Sequence, residues 1–459
     1  MKKKLVMFLS ITLFVYIFTS FIGLSYSQIA SLLIFIMLIS SSLLFWRFRV
    51  AFAFIGISAL LGLGLLDIDH LIEFASLDVI LFLISMMIII GFLEENAFFE
   101  YLIGKIVKAI GLKSDRLIII ILALSAFFAA LVDEVTSILF ITSTIFHLTS
   151  KYKVNPVPFV IMAVFATNIG SSATVVGNPV GVMIALKAGL SFMEFIRWAT
   201  PIALIALIVI ILICRKLFSK DIKKLDESMK MHFMSLEEDK PKAYSKDIMI
   251  SLGLFLGLIA LLIAHNQIEK LLHLKKNTML LGSAIGIAGI ALLIDWKGAR
   301  LLIETRVDWW TISFFMMFFA SVGTLESVGI TELIAKSFIH YFGNNENLLL
   351  IAFTWIAAIM SAFMDNVLAV TTLIPIVHEL SALGVQAFPF WWNMLFAATF
   401  FGNLTIIGST ANIVAIGMLE RQKGLEISFM DWLKLGAVVS IPTLILANLL
   451  IYIQIPFMG

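Results

Sequence analysis

Apolar runs separated by short polar breaks fill most of this chain. Runs over 5–22, 29–46, 51–66 and 79–93 open it, each close to the length that crosses a hydrocarbon layer ~30 Å thick at ~1.5 Å per helical residue. A charged amphipathic stretch over 98–112, with Glu100, Lys105 and Lys108, reads as lying in the membrane interface. The next run, 117–149, has about twice the length of one crossing, and its only titratable residues are Asp133, Glu134 and His147. A charge in hydrocarbon costs from roughly 2.5 kcal/mol upward. Two adjacent carboxylates at the centre of this run therefore predict a re-entrant hairpin whose polar tip lies inside the bilayer and lines a cavity. The competing reading, two helices joined by a solvated loop, lacks the Gly, Pro or charge run that such a loop would use.

Beyond the hairpin, a helix begins near 158–170, breaks at 171–181 and resumes to about 188, and 195–214 is a further crossing. Residues 215–246 form one hydrophilic segment holding Arg215, Lys216, Lys220, Lys223, Lys224, Lys230, Lys240, Lys242 and Lys246. Crossings at 248–264, 279–294 and 309–328 follow, then an interfacial stretch at 331–341 and a second hairpin around Met364-Asp365-Asn366-Val367. A broken helix over 390–418 and a crossing at 433–455 close the chain. The pattern predicts an all-α polytopic membrane protein with about 11 transmembrane helices and two re-entrant hairpins.

The two halves align on each other. Gly91-Phe92-Leu93-Glu94 matches Gly323-Thr324-Leu325-Glu326 at 323 − 91 = 232, and Glu100/Glu332 and Asp133/Asp365 keep that offset. Thr174-Val175-Val176-Gly177 matches Thr405-Ile406-Ile407-Gly408 at 231, and Ser191-Phe192-Met193-Glu194 matches Ser428-Phe429-Met430-Asp431 at 237. Chance similarity between apolar runs would not hold polar positions in register. The reading is an N-terminal transmembrane helix over 1–28, a first repeat over 29–214, a cytoplasmic linker over 215–246 and a second repeat over 247–459. Five crossings per repeat invert the second copy, the arrangement of secondary transporters whose hairpins meet near the membrane midplane.

Composition agrees. Hydrophobic residues make up 61% of the chain, charged residues 14%, and the mean hydropathy is +1.06, which excludes a soluble globular class. Met1-Lys2-Lys3-Lys4 ahead of the first run reads as the start of a transmembrane helix rather than a signal peptide, because no small-residue cleavage site ends the run. The positive-inside rule puts the N-terminus, the 215–246 segment, Arg47, Arg49, Lys105, Lys108, Lys151, Lys153, Arg421 and Lys423 in the cytoplasm of a cell-membrane protein. The Asp67-Ile68-Asp69 loop then falls outside, with Lys270, Lys275 and Lys276 as exceptions. No basic cluster points to nucleic acid, and the lone Cys214 excludes an intramolecular disulfide. His378-Glu379 begins a zinc-protease pattern that fails at Ala382, and no phosphate-binding Gly-rich motif for ATP occurs.

The candidate chemistry sits at the chain breaks. Asn168, Ser171, Ser172, Thr174 and Asn178 line the first broken helix; Asn403, Thr405, Ser409, Thr410 and Asn412 line its twin. Gly and Pro free carbonyls on one half-helix and N–H groups on the other. Carbonyl, hydroxyl and amide oxygens suit Na+, while half-helix N-termini suit an anion. Close packing through small residues is the plainer reading, and it does not explain the asparagines. At the hairpin tips Asp133, Thr136, Ser137, Asp365, Asn366 and Thr371 join the set. Glu134 reads as proton carrier, with Asp133, Asn168, Asp365 and Asn403 as possible Na+ ligands and no other cofactor. Glu94 and Glu326 read as solvated or capping residues at helix ends.

On these motifs the chain resembles the ion transporter superfamily, which includes pink-eyed dilution protein-like permeases, the arsenite-pump membrane subunit and divalent-anion/sodium symporters. The family's Leu-Asp-Asn-Val-Thr-Thr signature corresponds to 132–137, its Thr-Asn-Ile-Gly-rich run to 167–181, and its Gly-Asn-x-Thr run to 402–412. Glu134 stands where the family has Asn, and Asn178-Pro179-Val180-Gly181 stands for Asp-Pro-Pro-Asn. The resemblance implies a homodimer working by an elevator motion, with substrate and coupling ions held at the tips and breaks. A separate ATPase subunit is implied only if the chain is arsenite-pump-like. The expected activity is secondary transport of a small ion, an anion such as a carboxylate, arsenite, antimonite or an inorganic oxyanion, coupled to Na+ or H+. A Na+/H+ antiporter is the alternative and an ion channel the third. The sequence contexts of Asp133 and Asp365 do not fit an intramembrane aspartyl hydrolase, and no enzymatic activity is expected.

Overall fold

The structure, a computed structural model, describes residues 2–99, 101–102, 105, 114–232, 246–343 and 345–458. Among them the regular elements are all helical, as the apolar pattern predicts, and no strand is present. Seven helices are individually long and apolar enough to cross a membrane, and the pair Trp309–Ser327 and Ile330–Phe342, bent by 65°, raises this to eight. The expectation of about 11 crossings counted two broken helices and two short ones, Arg49–Gly62 and Thr278–Ile294, which are too short to qualify alone. One arm of the second hairpin, Glu346–Phe363, qualifies although it leads into a re-entrant turn. Most of the interfacial stretch expected over 98–112 lies outside the described residues. Its counterpart is the helix Ile330–Phe342.

Both hairpins form at the predicted places. The first has arms Ser114–Leu131 and Glu134–Lys151 and turns at Val132-Asp133; the second has arms Glu346–Phe363 and Asn366–Ala382 and turns at Met364-Asp365. The first broken helix runs Val157–Gly170, loosens through a single 3-10 turn at Val175–Gly177, and resumes as Pro179–Ala188. It resumes ahead of the expected Gly181, because Pro179 takes the first helical position, where its missing N–H costs nothing. The second runs Phe388–Phe401 and Thr410–Lys423. Their first halves are apolar on every side and buried on every side, as a helix enclosed by other helices should be.

The repeat is visible in three dimensions as exchanged contacts. Leu77–Glu95 and Trp309–Ser327 lie 232 residues apart at both ends. A Cβ on Gly91 would come within 2.6 Å of the Arg306 side chain, and one on Gly323 within 2.2 Å of the Phe74 ring. Arg306 and Phe74 are themselves 232 apart, so each half lends a side chain to the glycine of the other. Thr174 Oγ1 donates to the Ala130 carbonyl and Thr405 Oγ1 to the Ala362 carbonyl, a second related pair that ties each broken helix to its own hairpin.

The helices pack as a framework and a core. The framework holds Tyr26–Leu44, Arg49–Gly62, Leu77–Glu95, Lys246–Leu271, Thr278–Ile294 and Trp309–Ser327; the core holds the hairpins, the broken helices, Thr200–Leu217 and Phe429–Gln454. The first part of the hydrophilic segment is itself an amphipathic helix, Ser219–His232. It buries Ile222, Leu225 and Met229 and donates from Ser228 Oγ to the Tyr152 carbonyl at 2.5 Å. Residues 233–245 lie outside the description.

Gly170 tests the close approach on which the core depends, because a Cβ there would lie 2.2 Å from the Ala126 carbonyl oxygen, which is backbone and cannot swing aside. Gly170→Ala should lower thermal stability in detergent by the several kcal/mol of an overpacked core. Gly257→Ala, with nothing within 4 Å, should leave stability unchanged or raise it slightly. Equal melting temperatures for the two variants would contradict this packing.

Candidate functional site

Two hairpin tips and two helix breaks converge on one buried polar cluster. Each tip begins with an aspartate that caps the helix behind it. The Asp133 carboxylate accepts from Val135 N at 2.7 Å, Thr136 N at 3.3 Å and Thr136 Oγ1 at 2.6 Å. Asp365 accepts from Val367 N at 2.9 Å and, across the cluster, from Thr410 Oγ1 at 2.8 Å. Capping by carboxylates satisfies otherwise unpaired N–H groups and complements the positive end of the helix dipole. The position related to Thr410 by the repeat is Pro179, which has no hydroxyl, so Asp133 bonds only within its own turn.

Glu134 is different. It is 1% exposed, and its carboxylate touches both halves: Ser171 Oγ at 3.3 Å, Asn366 Nδ2 at 3.4 Å and Ser409 Oγ at 3.5 Å. These are at the long end of hydrogen-bond geometry. Among the described residues no Lys, Arg or His forms an ion pair with it. Asn366 Oδ1, on the amide that reaches Glu134, is also buried without a partner among the described residues.

Behind this carboxylate the asparagines stitch the two broken helices together. Asn168 Nδ2 donates to Asn403 Oδ1 at 2.6 Å and Asn412 Oδ1 at 2.8 Å, while Asn168 Oδ1 accepts from Ser409 Oγ at 2.9 Å. Asn412 Nδ2 donates to the freed carbonyls of Gly402 and Thr405, both at 2.8 Å, and Asn403 Nδ2 reaches the Phe165 carbonyl at 3.3 Å. On the first break Asn178 Nδ2 donates to Ser171 Oγ at 2.8 Å, and Asn178 Oδ1 caps Gly181 N at 2.7 Å. Ser172 Oγ bonds back to the Ile169 carbonyl, and Ser137 Oγ pins its arm to the Ser125 carbonyl at 3.0 Å.

The hydrogen bonds divide the four residues considered as Na+ ligands into three groups. Asp133 is bonded to its own turn, Asp365 to Thr410, and Asn168 to Asn403. Thr371 stands apart as well. Its hydroxyl donates to the Val367 carbonyl at 2.7 Å, lies 3.5 Å from Met183 Sδ, and faces a cavity of about 290 Å³. Glu73, Lys187, Glu326 and His378 line that cavity between framework and core. Glu73, Met183 and Lys187 are not assigned from the sequence; Glu326, read there as solvated or capping, is exposed in the last turn of Trp309–Ser327 and borders this cavity. Glu94, its counterpart, pairs instead with Arg306 at 2.8 Å. The available signal was the repeat itself: Arg306 in one half aligns with Phe74 in the other, so the two glutamates cannot be equivalent.

Inverted helical halves, re-entrant tips and helix breaks around a shared buried site define a membrane transporter. Comparison with known proteins supports this class and narrows it. A family model described as a citrate transporter (CitMHS) matches residues 33–392 and again 278–458. An uncharacterized transporter of Mycobacterium tuberculosis, Rv2685, is 32% identical over 382 residues, covering 82% of this chain and 86% of its own. The human P protein is 26% identical over 447 residues, covering 81% of this chain and 52% of its own length. The YdaH transporter of Alcanivorax borkumensis, whose solved structure has an unusual topology, superposes with a TM-score of 0.58 at 16% identity over 86% of this chain and 90% of its own. The chain belongs to the CitMHS citrate transporter family within the ion transporter superfamily.

Asn412 serves three acceptor or donor groups at once, so Asn412→Leu should cost more than the ~1–3 kcal/mol of one unsatisfied buried group. Ser172→Ala, which removes one local bond, should cost under about 1 kcal/mol. Thermal unfolding of both variants in the same detergent checks the ranking, and an Asn412→Leu protein as stable as Ser172→Ala would refute the stitching role.

Proposed function

We propose that this protein is a secondary active transporter that carries a small anion, a carboxylate first among them, across the cytoplasmic membrane. Coupling to Na+ or H+ drives it, and the core slides against the framework in an elevator-type cycle. The cytoplasmic placement of the N-terminus and the 215–246 segment follows from the distribution of Lys and Arg, and a homodimer formed through the framework belongs to the same reading. The family description favours a carboxylate over an oxyanion or arsenite.

The observation that carries the proposal is Glu134. It is a buried carboxylate without an ion pair among the described residues, suspended between the first hairpin tip, the second hairpin tip and both helix breaks. A bare charge in that position is expensive, and a proton or a cation shared with the unpaired Asn366 oxygen removes the expense. Neutralising Glu134 would also lift the negative field that repels an anion from the tips. Cation binding before anion binding is the sequence of events this electrostatics supports. The hydroxyl and amide groups provide neutral contacts for the substrate, with Glu134 as the coupling group.

One observation favours a Na+/H+ antiporter as second reading. Side chains already take backbone N–H groups at all four half-helix starts: Asp133 at Val135 and Thr136, Asp365 at Val367, Asn178 at Gly181 and Ser409 at Ala411. An anion would have to compete with those caps, and a cation would not.

Flux into proteoliposomes separates the two readings. With a panel of mono-, di- and tricarboxylates, inorganic oxyanions and arsenite, under imposed Na+ and pH gradients, uptake of one anion class should rise with the driving gradient. Proton movement driven by Na+ in the complete absence of these anions would sink the anion reading and establish the antiporter.

A further inference from the structure

The outer end of the first broken helix is fastened to the framework by polar contacts. Its second half, Pro179–Ala188, ends at Gly189 in the left-handed conformation (φ 63°). In the last turn Lys187 Nζ lies 3.2 Å and 3.3 Å from the two oxygens of Asp78, in the first turn of the framework helix Leu77–Glu95. From the loop between the framework helices Lys246–Leu271 and Thr278–Ile294, Asn277 Nδ2 donates to the Ala185 carbonyl at 2.7 Å and the Leu190 carbonyl at 3.4 Å. Asn277 thus adds a framework donor at this helix end, where the Ala185 carbonyl also accepts from Gly189 N and Leu190 N of its own segment.

That loop is built for the contact. Asn277 adopts φ 64°, a left-handed conformation that asparagine tolerates better than most residues, and it is 6% exposed. Glu269, 3% exposed, holds it there by accepting from Asn277 N at 3.1 Å and Met279 N at 2.8 Å. Lys276, next in sequence, lies 3.9 Å from Glu194 just beyond the helix end. Glu269 thereby caps the start of Thr278–Ile294 and fixes Asn277 in place, and the positive φ of a non-glycine residue there is a cost that a passive connector between two helices would not carry.

The repeat shows that the device is one-sided. At the offset of 232, Asp78 corresponds to Trp310; at 231, Lys187 corresponds to Met418; and Asn277, just ahead of Thr278–Ile294, corresponds to Phe48, just ahead of Arg49–Gly62, at 277 − 48 = 229. On the opposite face of the inverted pair the same three places hold two aromatic rings and a thioether, which cannot form an ion pair. An inverted repeat with identical halves would have two end-states of equal energy. A contact present at one end only tilts that balance.

We propose that Asp78, Lys187 and Asn277 form a clasp that fastens the core to the framework in one end-state and must open for the core to move. The inference rests on the sliding-core reading above. It also accounts for the position of the 290 Å³ cavity, which Lys187 lines beside Glu73 and Glu326: with the clasp closed, the gap between core and framework stays open on this face and reaches Thr371. Releasing the clasp lets the core leave, and the gap closes.

The test reads conformation and needs no substrate. In full-length protein with Cys214→Ala, Ile374→Cys places a reporter thiol on the cavity wall, and a membrane-impermeant maleimide measures its accessibility in proteoliposomes. The combination Asp78→Asn with Asn277→Ala should slow labelling about fivefold, the effect of losing roughly one net hydrogen bond's worth of bias. The charge swap Asp78→Lys with Lys187→Asp should label as fast as the parent, which a general loss of packing would not allow. Unchanged labelling in the broken clasp, or a swap that labels as slowly as the broken clasp, overturns the proposal. Clasp-dependent labelling without anion flux would leave the clasp and the sliding core standing and remove the anion reading alone.

Discussion

Polar backbone exposed inside a membrane must find a partner within the protein, and this constraint governs everything at the centre of the molecule. Four breaks in the chain meet there, two hairpin turns and two interrupted helices. Each frees N–H and carbonyl groups that hydrocarbon cannot solvate. Asparagine amides, with a donor and an acceptor on one rigid plane, answer this need: Asn412 closes the carbonyls of Gly402 and Thr405 while Asn168 joins it to the other half. The aspartates at the tips serve the N–H groups in the same way. Residue types that look like ligands in the sequence therefore first hold the breaks open, and the ligand chemistry is what remains unspent.

What remains unspent is concentrated at Glu134 and Asn366. They occupy the same position in the two repeats, 232 residues apart, and meet across the pseudo-symmetry axis at 3.4 Å. Were both positions asparagine, the tips could close as a neutral amide pair. With a carboxylate on one side, the junction of the two halves becomes sensitive to a single charge. The same logic of broken equivalence recurs farther out. Arg306 neutralises Glu94 on one face, Phe74 leaves Glu326 at a cavity on the other, and a clasp at Asp78 has no counterpart at Trp310. Symmetry lays out the two ends of a cycle, and these departures make the ends unequal.

Much of this was legible in the sequence because polar residues in an apolar run are rare enough to be informative. The hairpin at Asp133, the break after Gly170 and the repeat offset all follow from position and spacing. The resumed helix starts at Pro179, inside the stretch read as a break to Gly181, because proline suits the first helical position. Pairing was not legible at all. Nothing in the spacing of Asn168, Asn403 and Asn412 says that they bond to one another rather than to an ion. The cavity at Thr371 is assembled from four distant segments whose apolar residues look like any other membrane helix. Lys187 and Asp78, 109 residues apart, could not have been matched without the fold.

The account's central claim is that the charge on Glu134 couples the cycle to its driving ion. Binding of the transported anion and of Na+ to purified Glu134→Gln protein, measured across the pH range beside the native chain, addresses it most directly. The account predicts that native binding changes with pH and that the variant still binds but with the pH dependence gone. A variant whose binding follows pH as the native protein does would contradict it.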